Sequence, residues 1–368
     1  MKRKILKTTI RILLALVIVL AAAFGGLLIH FNLNHGRALE AEIEYMKALE
    51  AAYAGGYTPR DEGLFSDIST GEAVPLNGVR YLATHNSYKQ YGSAAGKFMI
   101  SLVSGRQEAE LLKYAYRRLN DQLEQGIRSF ELDIRLRKGV FEAVHVPLVD
   151  NMSNVMDLDL GLRELRLFSD HHPDHFPVIT IFEFKDDWMF LDPALQEIGD
   201  EELRLFDAML NRIFGDKLYV PADFLADTGS ASLEEALAKG WPGLNRLAGK
   251  FIFVMHPGPI AARYAALDAS QHSLSMFQAS DDVPGPGTAF IIYNEPDVDA
   301  IQALIGKGYM VRTRLDDLLV FDPDRYQRAM ESGAQILSSD LTLGRLDMEQ
   351  GYTWLTQPGL TVVRNWVY

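Results

Sequence analysis

From Val79 onward the sequence predicts an α/β fold, a (β/α)₈ TIM barrel preceded by an N-terminal transmembrane helix. Three observations support this prediction. Short apolar segments rich in β-branched and aromatic residues alternate with longer helical patterns, as in parallel α/β proteins. Polar residues follow the carboxyl ends of these segments, where such a barrel carries its active site. An uncharged apolar run of membrane-spanning length lies near the N-terminus.

The apolar run extends from Ile12 to Ile29 and spans about 27 Å as a helix. The basic residues before it favour a cytoplasmic N-terminus, so the rest of the chain is expected in the periplasm or outside the cell. The segment Ala21-Ala22-Ala23 leaves open a cleavable signal peptide, which would make the protein secreted. The run continues beyond what a signal peptide needs, so we expect residues 1–36 to form an uncleaved membrane anchor.

A juxtamembrane helix and a linker are expected at residues 37–78. Apolar residues recur every three or four positions from Arg37 to Tyr53, and Gly55-Gly56 ends this amphipathic pattern. The following residues are rich in Gly, Pro, Asp and Ser, a composition typical of linkers. We assign the catalytic domain to residues 79–345 and a C-terminal extension to residues 346–368.

The charge balance makes nucleic acid an unlikely partner class. The chain has 36 basic residues, five of which lie within residues 1–36, which leaves 31 against 49 acidic ones, a balance of −18 for the remainder. This acidic balance opposes binding to a polyanion, so we expect no nucleic-acid partner. The chain has no cysteine, so any metal ligands must be oxygen atoms or histidine nitrogens.

Eight segments are predicted as barrel strands. They are VRYLAT, SFELDIRL, VFEAVHV, VITIFEFK, FIFVMH, AFIIYN, YMVRTRL and AQILSSD. Helices are predicted at 106–125, 162–171, 201–214, 232–239, 298–305 and 323–332. The polar residues at the strand ends are His85-Asn86, Asp133, His145, Glu183 with Lys185, His256, Asn294, Arg312 with Arg314, and Ser338 to Asp340. The carboxyl ends of parallel strands meet on one face, so we expect one site there.

A divalent metal site is predicted from four oxygen-bearing residues. Glu131 and Asp133 in the tripeptide ELD lie on the same side of a strand, because side chains alternate between its two faces. With Asn86 and Glu183 they form an all-oxygen set that suits Ca²⁺, with Mg²⁺ as the runner-up. The alternative for any one of these acids is a salt bridge at the barrel mouth with a neighbouring cation.

Two histidines and three cations complete the predicted chemistry. His85 and His145 flank the ELD stretch in sequence, and two histidines near a metal can move the protons of phosphodiester cleavage. Lys185, Arg312 and Arg314 are placed to meet a phosphate, although ion pairing with nearby acids is an equal alternative. The sequence therefore predicts phosphoryl transfer, with cleavage of a phosphodiester.

Two other groups of residues have both a structural and a functional interpretation. The loop SDHHPDHFP is expected to be structural, with a second metal site left open at its three histidines, His171, His172 and His175. Four aromatic residues either form a rim that contacts lipid or pack in the core. They are Trp188, Phe190, Trp241 and Tyr293.

The ordered motifs resemble those of the bacterial calcium-dependent phosphoinositide-specific phospholipases C. They are THNSY, ELD, the His of VHVP, the Glu and Lys of FEFKD, GWPGLNRLAGK, VRTRLDD and SGAQILSSD, between about Val79 and Asp340. The resemblance implies a TIM barrel in which His85 and His145 are the catalytic pair. It implies that Asn86, Glu131, Asp133 and Glu183 bind calcium and that Lys185 and Arg312 contact the substrate.

The implied reaction releases diacylglycerol and a cyclic inositol phosphate when the inositol 2-hydroxyl attacks the adjacent phosphorus. We expect His145 to protonate the leaving oxygen and His85 to hydrogen-bond the phosphoryl group. Two alternatives remain open from the sequence. One is a glycerophosphodiester phosphodiesterase-like hydrolase, which the Asn86-Ser87 pair after His85 disfavours. The other is a non-catalytic barrel that binds the envelope, which need not keep both histidines and all four ligands.

Overall fold

The computed structural model describes residues 2–58, 71, 73–348 and 362–364. Its eleven strands are β1 (Val79–Thr84), β2 (Ser129–Arg137), β3 (Val140–Ala143), β4 (Val178–Phe184), β5 (Leu195–Gln196), β6 (Phe251–Met255), β7 (Phe277–Asp281), β8 (Thr288–Ile292), β9 (Met310–Arg314), β10 (Ile336–Ser339) and β11 (Val362–Arg364). Eight of them are parallel and closed in the order β1-β2-β4-β6-β7-β8-β9-β10, with β10 paired back to β1. The predicted (β/α)₈ barrel is confirmed.

Twelve α-helices lie within the described residues. They are α1 (Lys2–Ala54), α2 (Ala94–Val103), α3 (Arg106–Leu111), α4 (Leu119–Glu124), α5 (Leu158–His171), α6 (Asp200–Phe214), α7 (Pro221–Thr228), α8 (Leu233–Lys239), α9 (Leu244–Leu247), α10 (Pro259–Leu267), α11 (Val298–Ile305) and α12 (Pro323–Ser332). The helix predicted at 106–125 is instead split into α3 and α4. Tyr114 and Tyr116 lie between the two helices and are buried.

The third predicted barrel strand, VFEAVHV, is wrong. Only Val140–Ala143 is a strand, and this β3 pairs antiparallel with β2 as a hairpin outside the barrel. The connection between them is the pair Lys138-Gly139, both with positive φ. Two residues suffice for a hairpin, whereas a parallel crossover needs a dozen or more. The eighth barrel place belongs to β7, which the sequence did not predict as a strand.

The barrel strands are buried on both faces, as parallel strands are when helices surround them. One apolar cluster fills the barrel and includes alternate residues of the strands, such as Tyr81, Ile181 and Val254. The residues between them, such as Leu132 and Phe182, face outward and pack against α4, α5 and α6. This alternation sets which side chains of each strand reach the interior.

Helix α1 is continuous, so the predicted anchor and the juxtamembrane helix are one element. It contains a window of mean hydropathy 3.0, none of it buried, that is long and apolar enough to cross a membrane. A signal sequence would have the same properties. Beyond that window a stripe of buried residues packs against the barrel, at Phe31, Ala38, Glu42, Met46, Leu49 and Tyr53.

Parts of two predicted segments lie outside the described residues. They are 59–70 and 72 of the linker, and 349–361 and 365–368 of the C-terminal extension. Within the extension, β11 pairs antiparallel with the first half of β1.

Candidate active site

The carboxyl ends of the barrel strands bring together most of the predicted site residues. Asp133 on β2 lies opposite Glu183 on β4 in the parallel register. Glu183 continues the inward-facing positions of Ile179 and Ile181, and Glu131 lies beside Ile181. All three carboxylates therefore enter the barrel interior at its carboxyl end, on top of an apolar core.

Glu131 is buried and ionised against Arg312. The Oε2 atom of Glu131 lies 2.5 Å from Nη2 of Arg312, which also donates to Ser338 Oγ at 3.1 Å and is itself buried. Burial is the largest influence on the pKa of Glu131 and would raise it, but Arg312, His85, His256 and Arg314 together outweigh burial and hold that pKa at about 2. Arg312, predicted to contact a phosphate, thus serves a carboxylate in this structure.

Asp133 lacks a complete set of partners. Its Oδ1 atom is buried and makes no hydrogen bond to the described part of the chain, while Oδ2 is 3.8 Å from Nζ of Lys185. Burial raises the pKa of Asp133, and the neighbouring Glu183 and Glu131 add to this against the charge of Lys185. Lys185 pairs more closely with Glu183 Oε1, at 2.5 Å. A buried carboxylate of this kind is stabilised by an added cation.

The donor set fits a hard divalent cation. Ligand atoms of Glu131, Glu183 and His256 all lie within 4.8 Å of one another. Asn86 is buried beside them with φ 52°, and its Nδ2 donates to Tyr114 Oη at 3.3 Å, which leaves the amide oxygen for the site. Oxygen atoms dominate this group, as calcium sites require. His256 was recognised only as a strand-end residue, and its proximity depends on the β6 register next to Phe182.

His85 lies between an anion and a cation. Its Nδ1 is 3.2 Å from Oδ1 of Asp340 and 2.9 Å from Nη2 of Arg314, and its Nε2 is 3.8 Å from Glu131. Asp340 is buried, and although burial opposes it, the nearby His85 and Arg314 hold the pKa of this carboxyl below its usual range.

His145 is placed by a loop rather than by a barrel strand. A tight turn follows β3, and Nδ1 of His145 lies 3.1 Å from Oδ2 of Asp150. The other oxygen of Asp150 is 2.5 Å from the buried Nζ of Lys89. Burial would raise the pKa of Asp150, but the hydrogen bond from His145 and the charge of Lys89 keep it low. An ionised carboxylate thus orients His145.

The two histidines have carboxylate partners that the sequence analysis did not assign. Asp340 was noted at the end of β10, but Asp150 and Lys89 were missed because both lie in loops. The spacing of five residues between His145 and Asp150 was the one available signal. This arrangement can deliver and accept protons at two points beside a carboxylate cluster, which suits in-line displacement at phosphorus.

The structure separates packed from exposed residues in the histidine loop SDHHPDHFP and in the aromatic group. His175 is buried at the opposite end of the barrel and bonds both ring nitrogens, to Phe176 O and Ser169 Oγ. Both of its ring nitrogens are thus already engaged within the protein. Trp241 is a core residue stacked on Phe224. Trp188 and Phe190 are exposed, 49% and 76% accessible.

Comparison with known proteins points to one family. The sequence matches the family model described as phosphoinositide phospholipase C, Ca²⁺-dependent, over residues 74–137 and 134–365. No curated protein sequence gives a significant match. The structure resembles a calcium-dependent phosphoinositol-specific phospholipase C from Pseudomonas sp., with 20% identity, 83% of this chain and 99% of that chain covered, and a TM-score of 0.59. For a Ca²⁺-dependent phosphatidylinositol-specific phospholipase C from Streptomyces antibioticus the values are 20%, 80%, 99% and 0.57.

Proposed function

Because the chain belongs to the family of Ca²⁺-dependent phosphoinositide phospholipases C, we propose that it cleaves phosphatidylinositol-type lipids to diacylglycerol and a cyclic inositol phosphate. The single observation that best supports this reaction is the pair of part-exposed histidines beside the carboxylate cluster. Each has a buried carboxylate at its Nδ1, Asp340 for His85 and Asp150 for His145. A displacement at phosphorus is helped by a proton donor to the leaving oxygen and a hydrogen-bond donor to the phosphoryl group, and rings held in this way can supply both.

Calcium is the proposed cofactor, held by Asn86, Glu131, Asp133 and Glu183. The orphaned Oδ1 of Asp133 supports this assignment, because no described protein group donates a hydrogen bond to it. When bound, the cation would supply positive charge for the phosphoryl oxygens and lower the basicity of the attacking hydroxyl. Lys185 would have to exchange part of its contact with Glu183 for substrate, since the two pair closely without a cation.

The proton steps are assigned to the two histidines and the carboxylates beside them. His145, whose ring Asp150 orients through Nδ1, donates a proton to the glycerol oxygen that leaves phosphorus. The proton of the attacking inositol 2-hydroxyl passes to a carboxylate of the cluster. His85 donates a hydrogen bond to the phosphoryl group, and Arg314 beside it contributes positive charge. Lys185 and Arg312 are the further candidates for contact with the phosphate or the inositol.

The N-terminal helix is proposed as a membrane anchor with the catalytic domain extracytoplasmic. Residues 1–36 would form the anchor, 37–78 the juxtamembrane helix and linker, 79–345 the catalytic domain and 346–368 the extension. The unburied apolar window of α1 supports a bilayer-spanning role, because no part of the described protein covers it. The substrate would then lie in the membrane that holds the enzyme.

The full chain in vesicles that contain phosphatidylinositol tests the proposed reaction. Release of diacylglycerol and a water-soluble inositol phosphate is expected in calcium and not in excess chelator. A glycerophosphodiester with no acyl chains serves as the matched substrate. Turnover of that compound alone would contradict the proposal and favour the glycerophosphodiesterase alternative, whereas no turnover of either would favour a binding protein.

A further inference from the structure

The direction of α1 relative to the barrel is fixed by its polar contacts. Its Glu42 accepts hydrogen bonds from the backbone of Met156 and Asp157, just before the start of α5, and Tyr53 stacks on His171 at the end of α5. Helix α1 therefore runs parallel to α5. Because α5 leads from the carboxyl end of the barrel to the start of β4, the first residues of α1 point beyond the carboxyl end, where the site is.

Contacts nearer to the N-terminus of α1 agree with this direction. Asn32 accepts a hydrogen bond from Arg137, the last residue of β2, and His35 lies 2.6 Å from Glu142 on β3. The β2–β3 hairpin projects past the metal-ligand positions, with Arg137 four residues beyond Asp133, about 13 Å along the strand. The contact of α1 nearest to its apolar run is thus made at the mouth of the barrel.

Almost no chain lies between the apolar run and the part of α1 that packs against the barrel. The run ends at Ile29, which is exposed, and the buried stripe begins at Phe31, which is 2% accessible. Two residues of helix span about 3 Å. The helix contains no proline and is unbroken through this point. A bilayer around residues 12–29 would therefore meet the barrel directly at its mouth.

The exposed apolar residues of the barrel are concentrated at the same end. Helix α2, which follows β1, has the sequence AAGKFMISLV, and only Gly96 of it is buried. Other exposed apolar residues lie in the segments that follow β4, β7 and β9. The most exposed members are Phe98, Leu102, Val103, Phe190, Val283 and Val320. Two of the described exposed hydrophobics after α1 lie elsewhere: Leu205 is on the outer helix α6 at the side of the barrel, and Tyr57 contacts the end of α4 at the amino end. Water-exposed apolar residues grouped on one face mark a surface that contacts another phase.

We propose that α1 is a rigid strut that holds the barrel mouth, with the apolar face of α2, against the bilayer in which α1 itself is anchored. This inference rests on the proposed membrane anchor and adds an orientation to it. The occupant of the apolar face is the lipid surface of the same membrane, because the span leaves the barrel at that face with no linker. A substrate headgroup then reaches the site from the anchoring bilayer, without encounter of a second membrane.

The absence of cysteine allows a direct test of orientation on the full chain. Phe98→Cys and Leu205→Cys, at positions 62% and 58% exposed, give matched sites for a nitroxide label. In vesicles of phosphatidylcholine and phosphatidylinositol, we expect the label at position 98 to contact lipid and the label at position 205 to remain in water. Equal depths of the two labels would overturn the proposal, whether or not the enzyme turns over.

A pair of insertions tests the strut itself. Ten Gly and Ser residues inserted after Ile29 should lower cleavage of lipid in the same vesicle by about tenfold, because the local concentration of substrate at the mouth falls. The same insertion after Gly55, at the far end of α1, is the matched control and should leave that rate unchanged. Neither should change the rate on a short-chain soluble phosphoinositide. An insertion after Ile29 with no effect on the vesicle rate overturns the proposal.

The two tests also separate the orientation from the proposed reaction. A lipid-buried label at position 98 without any phosphoinositide cleavage would contradict the proposed reaction and support the orientation.

Discussion

The two ends of the barrel both carry histidines, but the surroundings of these histidines are opposite. At the amino end His175 is fully buried, with Nδ1 2.6 Å from Phe176 O and Nε2 2.8 Å from Ser169 Oγ. Burial lowers the pKa of His175 to about 3, so this ring is neutral at physiological pH. At the carboxyl end His85 and His145 are each about a quarter exposed and have carboxylate partners.

The difference teaches how to separate a structural histidine from one that moves protons. Neutral partners on both nitrogens and burial fix His175 in one protonation state. A carboxylate on one nitrogen stabilises the charged ring, and access to the cavity lets the ring exchange its proton with a substrate. Among the acids at the carboxyl end, Oδ1 of Asp133 lacks a hydrogen-bond partner in the described part of the chain, at the place where a cation would bind.

The largest effect should come from Asp133→Asn at the carboxyl end. The change removes a charge from the proposed calcium ligands, so turnover should fall below detection and calcium binding should weaken, as measured by calorimetry. Asp200→Asn, on the outer helix α6, is the matched control and should behave as the unmodified chain. Undiminished calcium affinity in the Asp133 variant would show that the cation binds elsewhere.

His85→Ala and His145→Ala should each reduce turnover by about 100- to 10,000-fold, the range for a positioned acid or base. Their melting temperatures should change little, because both rings lie at the cavity and contribute few core contacts. A nitrophenyl phosphodiester of inositol has a leaving group that needs no proton, so it should rescue His145→Ala far more than His85→Ala. Equal rescue would remove the assignment of roles.

Asp150→Asn should cost about 10- to 100-fold, as changes to the partner of a catalytic group commonly do. His145 loses the carboxylate that orients its ring, so kcat should fall with little change in KM. Asp150→Glu is the matched variant that keeps the carboxylate, and it should retain more turnover than Asp150→Asn. A loss in Asp150→Asn that only follows a lower melting temperature would mean that the carboxylate supports the fold through Lys89.

His175→Gln at the amino end should leave turnover within about twofold and alter stability instead. The folded pKa of about 3 lies below the unfolded value of 6.5, so the unfolded chain binds the extra proton between these values. The contribution of His175 to stability is therefore present above pH 6.5 and is lost as pH falls, by about 1.4 kcal/mol per unit. The variant should lose less stability than the unmodified chain between pH 6.5 and pH 4.5, as measured by urea unfolding. An unchanged acid dependence would contradict this.

The barrel fold and the site residues that lie on β-strands could be predicted from the sequence. Long β-branched segments such as VITIFEF are hard to mistake, and the period of two in ELD correctly predicts that Glu131 and Asp133 share a face. The strand β7 was missed because FQASD has little apolar character, and its place depends on pairing with β6 and β8. Tertiary pairing, not local preference, decides such a short strand.

Loop geometry was the other feature that the sequence analysis could not predict. The segment VFEAVHV has the composition of a barrel strand, and the tight Lys138-Gly139 turn that makes it a hairpin was the overlooked signal. As a result, His145 was identified by type while its position was not. Its partner Asp150 depends on the turn that follows, and Lys89 reaches Asp150 from the loop after β1. Contacts between two loops have no periodicity from which to predict them.

The continuity of α1 also limits how the enzyme can move. A bilayer looks the same in every direction around a helix that crosses it, so an anchored chain can still turn about the axis of α1. Tilting away would pull the buried stripe at Phe31 and Met46 off the barrel. In the proposed anchored arrangement the mouth would sweep a ring of lipids centred on the helix, and each turn would bring a new set of headgroups within reach. The supply of substrate would then follow the mole fraction of the lipid in that leaflet, and diluting the vesicles in more buffer would leave it unchanged.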